Sequence, residues 1–166
     1  MRHVIPMLLL VVTGCTTVQF VEPRPLILLE KVHLIEPLKV GSRVYLTWEA
    51  TNVGAGVATN VKAGTEVTLG QEPVAVPDKA GKSPSVSVLG PSRMLPSPDA
   101  PSVWLNGEAG RLWTDDDARR AAAGERLYLQ VVVYYDDLKG KSHVSAVCGY
   151  WEGAAITACP TGNLVR

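Results

Sequence analysis

One stretch of the sequence, residues 127–135, is apolar on both of its alternating faces. In an extended chain one face carries Leu127, Leu129, Val131 and Val133, and the other carries Tyr128, Val132 and Tyr134. A strand with two apolar faces lies centrally in a sheet or is covered on both sides. The chain that contains it must therefore build at least one further layer of structure around this strand.

Several other segments have the length and alternation of β-strands. Residues 44–53 place Val44, Leu46 and Trp48 on one face. Residues 60–69 predict the next strand, antiparallel to the first, with Gly64 indicating a β-bulge. Further strands are predicted at residues 26–35, 85–89, 142–151 and 154–158. Short valine-rich strands separated by 15 glycines and 12 prolines are typical of an all-β sandwich or barrel.

A single short helix is predicted at about residues 114–123. Thr114 is a good N-cap, three aspartates follow at the positive end of the helix, and Gly124 ends it. A calcium loop would need glycine at the sixth position from Asp115, where this chain has Arg120. Helix capping is therefore the simpler explanation of the aspartates.

The first residues have the three parts of a secretory signal. Arg2 precedes an apolar run that is too short to span a bilayer, and small residues follow it. Val12-Thr13-Gly14-Cys15 resembles the lipobox of bacterial lipoproteins. The resemblance implies cleavage before Cys15, diacylation of its thiol and acylation of its new amino group, with the lipid bilayer as the partner of the acyl chains. Thr16 in place of aspartate implies the outer membrane, facing the periplasm.

This interpretation divides the chain into three parts. Residues 1–14 are the signal peptide, residues 15–25 form a lipidated tether, and residues 26–166 form the folded domain. In the tether, two prolines oppose regular structure.

Two cysteines remain once Cys15 is lipidated. Cys148 and Cys159 would lie in a compartment where disulfides persist, and two thiols allow one intramolecular pair. Free thiols, or a Cys148 nucleophile with His143 as base, are the alternatives. Zinc is disfavoured because two further ligands at normal spacing are lacking.

Two motifs resemble those of small immunoglobulin-like modules of bacteria. One is Asn52-Val53-Gly54 followed by Ala58-Thr59-Asn60-Val61, and the other is the hairpin from Tyr134 to His143. The resemblance covers residues 40–163 with gaps. It implies an immunoglobulin-like β-sandwich of about seven strands with the one short helix, but fold alone does not define function.

Catalytic and cofactor motifs are absent from the sequence. It has no Gly-x-Ser-x-Gly, no phosphate-binding glycine loop and no His-Glu-x-x-His. Asp136-Asp137 and His143 are interpreted as turn residues, with His143 exposed. We therefore expect no catalytic residues, no metal site and no cofactor. Lys plus Arg equals Asp plus Glu at 16 each, which argues against nucleic acid and against a polybasic membrane patch.

These features predict a non-enzymatic, membrane-anchored envelope lipoprotein. Its domain would act as a protein-binding or assembly module through sheet edges or the proline-rich loop at residues 91–101. The alternative is a carbohydrate- or peptidoglycan-binding module that uses Trp104 and Trp113 as exposed contacts. Both tryptophans could instead cover one end of the core.

Overall fold

The structure, a computed structural model, describes residues 23–35, 38–73, 75–76, 85–90, 92–96, 103–105, 108–152 and 155–165. The signal peptide, Cys15 and most of the predicted tether lie outside these ranges. Of residues 85–87, 94–96, 103–104 and 109 only the backbone is described.

The described residues form eleven strands and one helix. The longer strands are β1 (Ile27–Leu34), β2 (Leu46–Asn52), β3 (Ala58–Gly70), β4 (Ser85–Leu89), β8 (Arg126–Asp136) and β9 (Ser142–Glu152). The shorter strands are β5 (Met94–Pro96), β6 (Val103–Leu105), β7 (Glu108–Ala109), β10 (Ala155–Ala158) and β11 (Leu164–Val165). Helix α1 (Asp115–Ala122) lies between β7 and β8. The all-β class with one short helix is confirmed, although there are more strands than the seven or so expected.

The strands form two sheets. The smaller sheet has the order β1-β2-β5, and the larger has the order β10-β9-β8-β3-β6-β7. In the larger sheet β4 pairs with the first half of β3, and β11 pairs with β9. All pairs are antiparallel except β3 with β6. The extra strands arise partly because β5 forms inside residues 91–101, which the prolines predicted to be loop.

The core lies between the two sheets. Trp48 of β2 is 2% exposed, and its Nε1 donates a hydrogen bond to Thr65 Oγ1 of β3 at 3.2 Å. One inner cluster includes Ile27, Trp48, Ala50, Val61, Val131 and Val133. A second includes Leu46, Val67, Leu105, Trp113 and Leu129. This two-layer packing confirms the sandwich-like architecture.

The strand β8 holds the position predicted for it. It lies between β3 and β9, and all its residues from Leu127 to Val133 are buried. Its inner face packs in the core, while Tyr128 and Val132 on its other face pack against β9 and neighbouring segments. A strand covered on both sides therefore organises the larger sheet.

The sequence predicted β3 as the next strand, antiparallel to β2, but the two strands are not hydrogen-bonded neighbours. The two strands belong to different sheets, so residues 53–57 carry the chain from one sheet to the other. The bulge predicted at Gly64 is also absent, because register is continuous there and shifts instead between Thr59 and Lys62. Asn60, within the shift, has a φ of 50°.

The sandwich has two distinct ends. The lower end consists of Pro23–Leu26, the loop at residues 53–57 and the turn at residues 137–141, since β3 begins beside Asp136. The upper end consists of Ile35, residues 38–43, Trp113 and α1, where the Gly41 amide donates to the Trp113 carbonyl oxygen at 2.8 Å. Arg120 of α1 reaches the Leu69 carbonyl oxygen near the end of β3 at 3.1 Å.

Candidate functional site

The lower end is where the N-terminal segment joins the domain. The Gly56 amide donates to the Arg24 carbonyl oxygen at 3.1 Å, and the Val53 amide donates to the Leu26 carbonyl oxygen at 2.8 Å. These bonds hold Pro23–Leu26 along the loop that leaves β2. The chain is therefore fixed to the sandwich before β1 begins.

Asn52 connects this segment to the rest of the lower end. Its Oδ1 accepts hydrogen bonds from the amides of Leu26 and Gly54, both at 3.1 Å. Its Nδ2 donates to the carbonyl oxygens of Gly56 at 2.8 Å and Leu89 at 3.0 Å. The side chain is fully buried, and all four of its bonds go to backbone groups. Such a satisfied buried amide fixes the relative positions of three backbone segments: the N-terminal segment, the loop at residues 53–57 and the end of β4.

Glycine is required beside Asn52 by the closeness of the N-terminal segment. A Cβ on Gly54 would collide with the backbone of Arg24 and Leu26, and one on Gly56 would collide with that of Pro23 and Arg24. The Asn52-Val53-Gly54 motif thus has a physical explanation: an amide that binds the N-terminal segment and a glycine that lets it approach.

The turn between β8 and β9 lies next to the same segment. Asp137 Oδ1 accepts from the amides of Lys139 and Lys141, both at 2.9 Å. These donors belong to a tight turn that Gly140 closes with a φ of 79°. The Lys141 amide and the His143 ring hold the pKa of the Asp137 carboxyl below its usual value. Asp136 binds Asn60 Nδ2 and Ser142 Oγ, which lower the pKa of its carboxyl as well. The two carboxylates stabilise the hairpin.

His143 is not the exposed turn residue that the sequence suggested. Its side chain is 9% exposed, its Nε2 lies 3.2 Å from Asp137 Oδ2, and its ring stacks on Tyr135 at a centroid distance of 5.5 Å. Tyr135 and His143 are cross-strand partners in β8 and β9. The pairing explains the burial, because a cross-strand aromatic neighbour covers the imidazole.

Cys148 and Cys159 form a disulfide, as predicted. Their Cα atoms are 5.3 Å apart, and both residues are almost fully buried. The Cys159 amide donates to the Cys148 carbonyl oxygen, and Asn163 bonds the backbone of both cysteines. The bond leaves no free Cys148 thiol for the alternative in which His143 activates it. His143 and Cys148 also lie an odd number of positions apart on β9, so their side chains point to opposite faces of the sheet.

The aspartates at residues 115–117 lie in the first turn of α1, where negative charge stabilises the helix N-terminus. Thr114 Oγ1 accepts from the Asp117 amide at 3.2 Å, and Asp117 Oδ2 accepts from the Thr114 amide at 2.9 Å, which completes a capping box. Arg111 lies 2.9 Å from the fully buried Asp117 carboxylate. Burial raises the pKa of this carboxyl, but Arg111 and Thr114 outweigh burial and hold the pKa below its usual value. The helix prediction is confirmed.

The tryptophans do not form the exposed pair that sugar binding would need. Trp113 is 3% exposed and packs in the inner core, so its indole cannot stack on a sugar at the surface. The exposure assumed for it is therefore wrong, and it covers one end of the core. The backbone of Trp104 lies in β6 opposite Glu66 of β3, and its side chain lies outside the described residues.

A cluster of cations at the lower end was not found from the sequence. Arg24, Lys139 and Lys141 line a shallow depression of about 300 Å³ together with Pro23, Asp137 and Leu138. No local motif signals this cluster, because more than a hundred residues separate Arg24 from Lys139.

The described residues contain neither a metal-binding cluster nor a helix that could cross a membrane. Within the described ranges, no three His, Cys, Asp or Glu side chains are grouped so that they could hold a metal ion. In the same part of the chain, the eight-residue α1 is far shorter than the ~20 apolar residues of a bilayer-crossing helix.

No protein-family model, no curated protein and no solved structure matches this chain at a significant level. Its function must therefore be argued from its own residues.

Proposed function

We propose that this chain is a bacterial envelope lipoprotein, anchored through acylated Cys15, whose domain binds another envelope protein and performs no catalysis. The observation that carries the proposal is the fixed attachment of Pro23–Leu26 to the lower end of the sandwich. Only eight peptide units separate Cys15 from Pro23. An acyl anchor at Cys15 would therefore hold the domain close to a membrane, which we propose is the outer membrane on its periplasmic side.

The disulfide supports an exported protein. Buried disulfides such as Cys148–Cys159 form and persist in oxidising compartments, including the bacterial periplasm. A secretory signal followed by a lipobox would deliver the chain to that compartment. The sequence at Cys15 and the pairing of the two distant cysteines thus favour the same location.

The strand order supports an immunoglobulin-like module. In such folds one sheet carries strands A, B and E, and the other carries G, F, C and C′. With β1, β2 and β5 as A, B and E, and with β9, β8, β3 and β4 as G, F, C and C′, the neighbours are the same. We propose on this basis that the sandwich is immunoglobulin-like.

The edge of β4 is the best candidate for a protein contact. Among the described residues β4 pairs only with β3, which leaves its other edge without a strand, and its Val88 is 57% exposed. A partner strand could add to this edge through backbone hydrogen bonds. The edge of β1 is less suitable, because Lys31 adopts a φ of 52° within a register shift, and edge bulges and lysines oppose strand addition.

The anchor is tested by metabolic labelling with an alkyne fatty acid. We expect the wild-type chain to be labelled and Cys15→Ser to be unlabelled. Cys148→Ser is the matched control, and it should retain the label. A wild-type chain that takes up no label, or a Cys15→Ser chain that takes up as much as wild type, would overturn the proposed anchoring.

The partner contact is tested by site-specific photocrosslinking in intact cells. A photoreactive residue at Val88 should capture a discrete envelope protein, whereas the same residue at the exposed Leu112 of the upper end should not. Substitution of a backbone-blocking proline at Ser87 should abolish the capture while leaving the label on Cys15. Equal capture at both positions would contradict recognition through β4.

A further inference from the structure

Three basic side chains meet at the lower end from two distant parts of the chain. Arg24 comes from the N-terminal segment, while Lys139 and Lys141 come from the β8–β9 turn, and all three line the depression of about 300 Å³. All three residues are exposed. The carboxylate that shares the depression, Asp137, is bound by two backbone amides and His143. The depression therefore carries more basic than acidic side chains.

Exposed apolar side chains lie at the same end of the domain. Leu138, at the tip of the turn, is 74% exposed and directly precedes Lys139. Val53, in the loop bound to Leu26, is 52% exposed. An exposed leucine beside a lysine suits a membrane interface, where apolar groups enter the acyl boundary and cations meet phosphates.

The length of the tether determines which end of the domain lies near the membrane. From Cys15 to Pro23 a fully extended chain spans at most ~28 Å. The eleven residues of β8 extend ~36 Å from the upper end to the lower end. An anchor at Cys15 therefore keeps the lower end near the bilayer, while the upper end can lie much further away.

We propose that the lower end docks on anionic phospholipid headgroups through Arg24, Lys139 and Lys141, with Leu138 entering the interface. The inference rests on the proposed anchoring at Cys15, and it adds an orientation in which the lower end of the domain faces the bilayer. The β4 edge, which runs along the side of the sandwich, is then left accessible to a partner. Each basic side chain held near an anionic surface strengthens association roughly fivefold.

The test is lysine acetylation of the full-length mature protein on vesicles. The protein is reconstituted on phosphatidylcholine vesicles with or without phosphatidylglycerol, treated with a membrane-impermeant acetylating reagent, and analysed by mass spectrometry. We expect phosphatidylglycerol to slow acetylation of Lys139 and Lys141 several-fold. Lys39, at the upper end, is the internal control and should react at the same rate on both vesicles.

Charge reversal separates docking from general electrostatics. In a Cys15→Ser background, which removes the acyl anchor, flotation with phosphatidylglycerol vesicles should be lost in Lys139→Glu/Lys141→Glu and weakened in Leu138→Ser. The matched variant Lys31→Glu/Lys39→Glu changes the net charge equally, away from the lower end, and should behave as wild type. Equal lysine reactivity on both vesicles, or equal effects of the two charge reversals, would overturn the docking proposal.

Anchoring and docking fail in different ways. Loss of anchoring appears as failure to float with pure phosphatidylcholine vesicles, while docking still appears as flotation with phosphatidylglycerol that depends on Lys139 and Lys141. A chain that floats with both vesicles but shows no protection retains its anchor and refutes docking. Protection seen only in intact cells would also refute headgroup docking and assign the lower end to a protein partner.

Discussion

Asn52 accepts a hydrogen bond from the Leu26 amide across 26 positions of sequence, and this bond joins the N-terminal segment to the end of β2. The same side chain bonds Gly54, Gly56 and Leu89. Asn52 therefore acts with the Val53 and Gly56 amides to join the N-terminal segment to the lower end. If Cys15 carries the anchor, force on the tether reaches the sandwich through these bonds.

Replacing Asn52 should destabilise the domain strongly. In Asn52→Ala four backbone groups lose their side-chain partner in a buried site, and we expect a loss of about 3 kcal/mol or more in the free energy of unfolding. Thr51→Val, next to it on β2, should change that free energy by less than about 0.5 kcal/mol. Urea unfolding of the two variants measures the difference, and similar midpoints would contradict this role of Asn52.

Asn52→Asp gives a pH-dependent version of the same experiment. Aspartate keeps the acceptor for Leu26 and Gly54 but turns an oxygen toward the carbonyl groups of Gly56 and Leu89. Burial and these carbonyls should raise its folded-state pKa, so the variant's loss of stability should grow as pH rises above ~4. If the loss in the free energy of unfolding is constant from pH 4 to pH 7, the site tolerates the ionised carboxylate and this prediction is wrong.

Adding one methyl group at Gly54 should displace the N-terminal segment. A Cβ there collides with the backbone of Arg24 and Leu26, which cannot rotate away as a side chain could. We expect Gly54→Ala to cost about 1–3 kcal/mol and to accelerate hydrogen exchange of the Val53 and Leu26 amides. Gly70→Ala is the control, since its Cβ would lie 3.9 Å from its nearest neighbour, the Glu72 carbonyl oxygen.

The disulfide should stabilise the C-terminal strands. Its two cysteines are separated by 11 positions, and closing a loop of this size contributes about 3 kcal/mol on the chain-entropy model. Reductant should lower the urea midpoint of the wild type but leave that of Cys148→Ala/Cys159→Ala unchanged. A wild-type midpoint that ignores reductant would contradict this contribution.

The capping box at α1 should make stability depend on pH. The folded-state pKa of Asp117 is lowered from 3.8, so its contribution is present above that value and is lost as pH falls through the folded-state pKa. At pH 7 we expect Asp117→Asn to cost roughly 2 kcal/mol, and the cost should shrink below pH ~4. Asp116→Asn, exposed on the same helix, should cost little at either pH.

Local sequence patterns predicted individual elements well. The two apolar faces of residues 127–135 identified β8, and Thr114 with its aspartates identified α1, because each pattern reports on short-range geometry. Alternation in residues 44–53 and 60–69 identified two strands, but it could not show that they belong to different sheets. Alternation defines which face of a strand is buried and carries no information about its hydrogen-bonded neighbour.

The candidate site depends on contacts that the sequence does not encode locally. Trp113 and His143 are buried by partners on other strands, and the spacing around each residue does not reveal those partners. The even overall charge argued against a basic membrane surface. The fold nevertheless brings Arg24 to Lys139 and Lys141, and such a grouping is invisible to composition.

The most direct test of the lipoprotein account is the mass of the mature N-terminal peptide isolated from membranes. We predict that the protein begins at Cys15 and that this residue carries two acyl chains on its thiol-linked glycerol and a third on its amino group. Because Glu22 and Arg24 are both followed by proline, we expect the peptide to be released by Glu-C after Glu30 or by trypsin after Lys31. An unmodified Cys15, or a mature chain that begins elsewhere, would contradict the account.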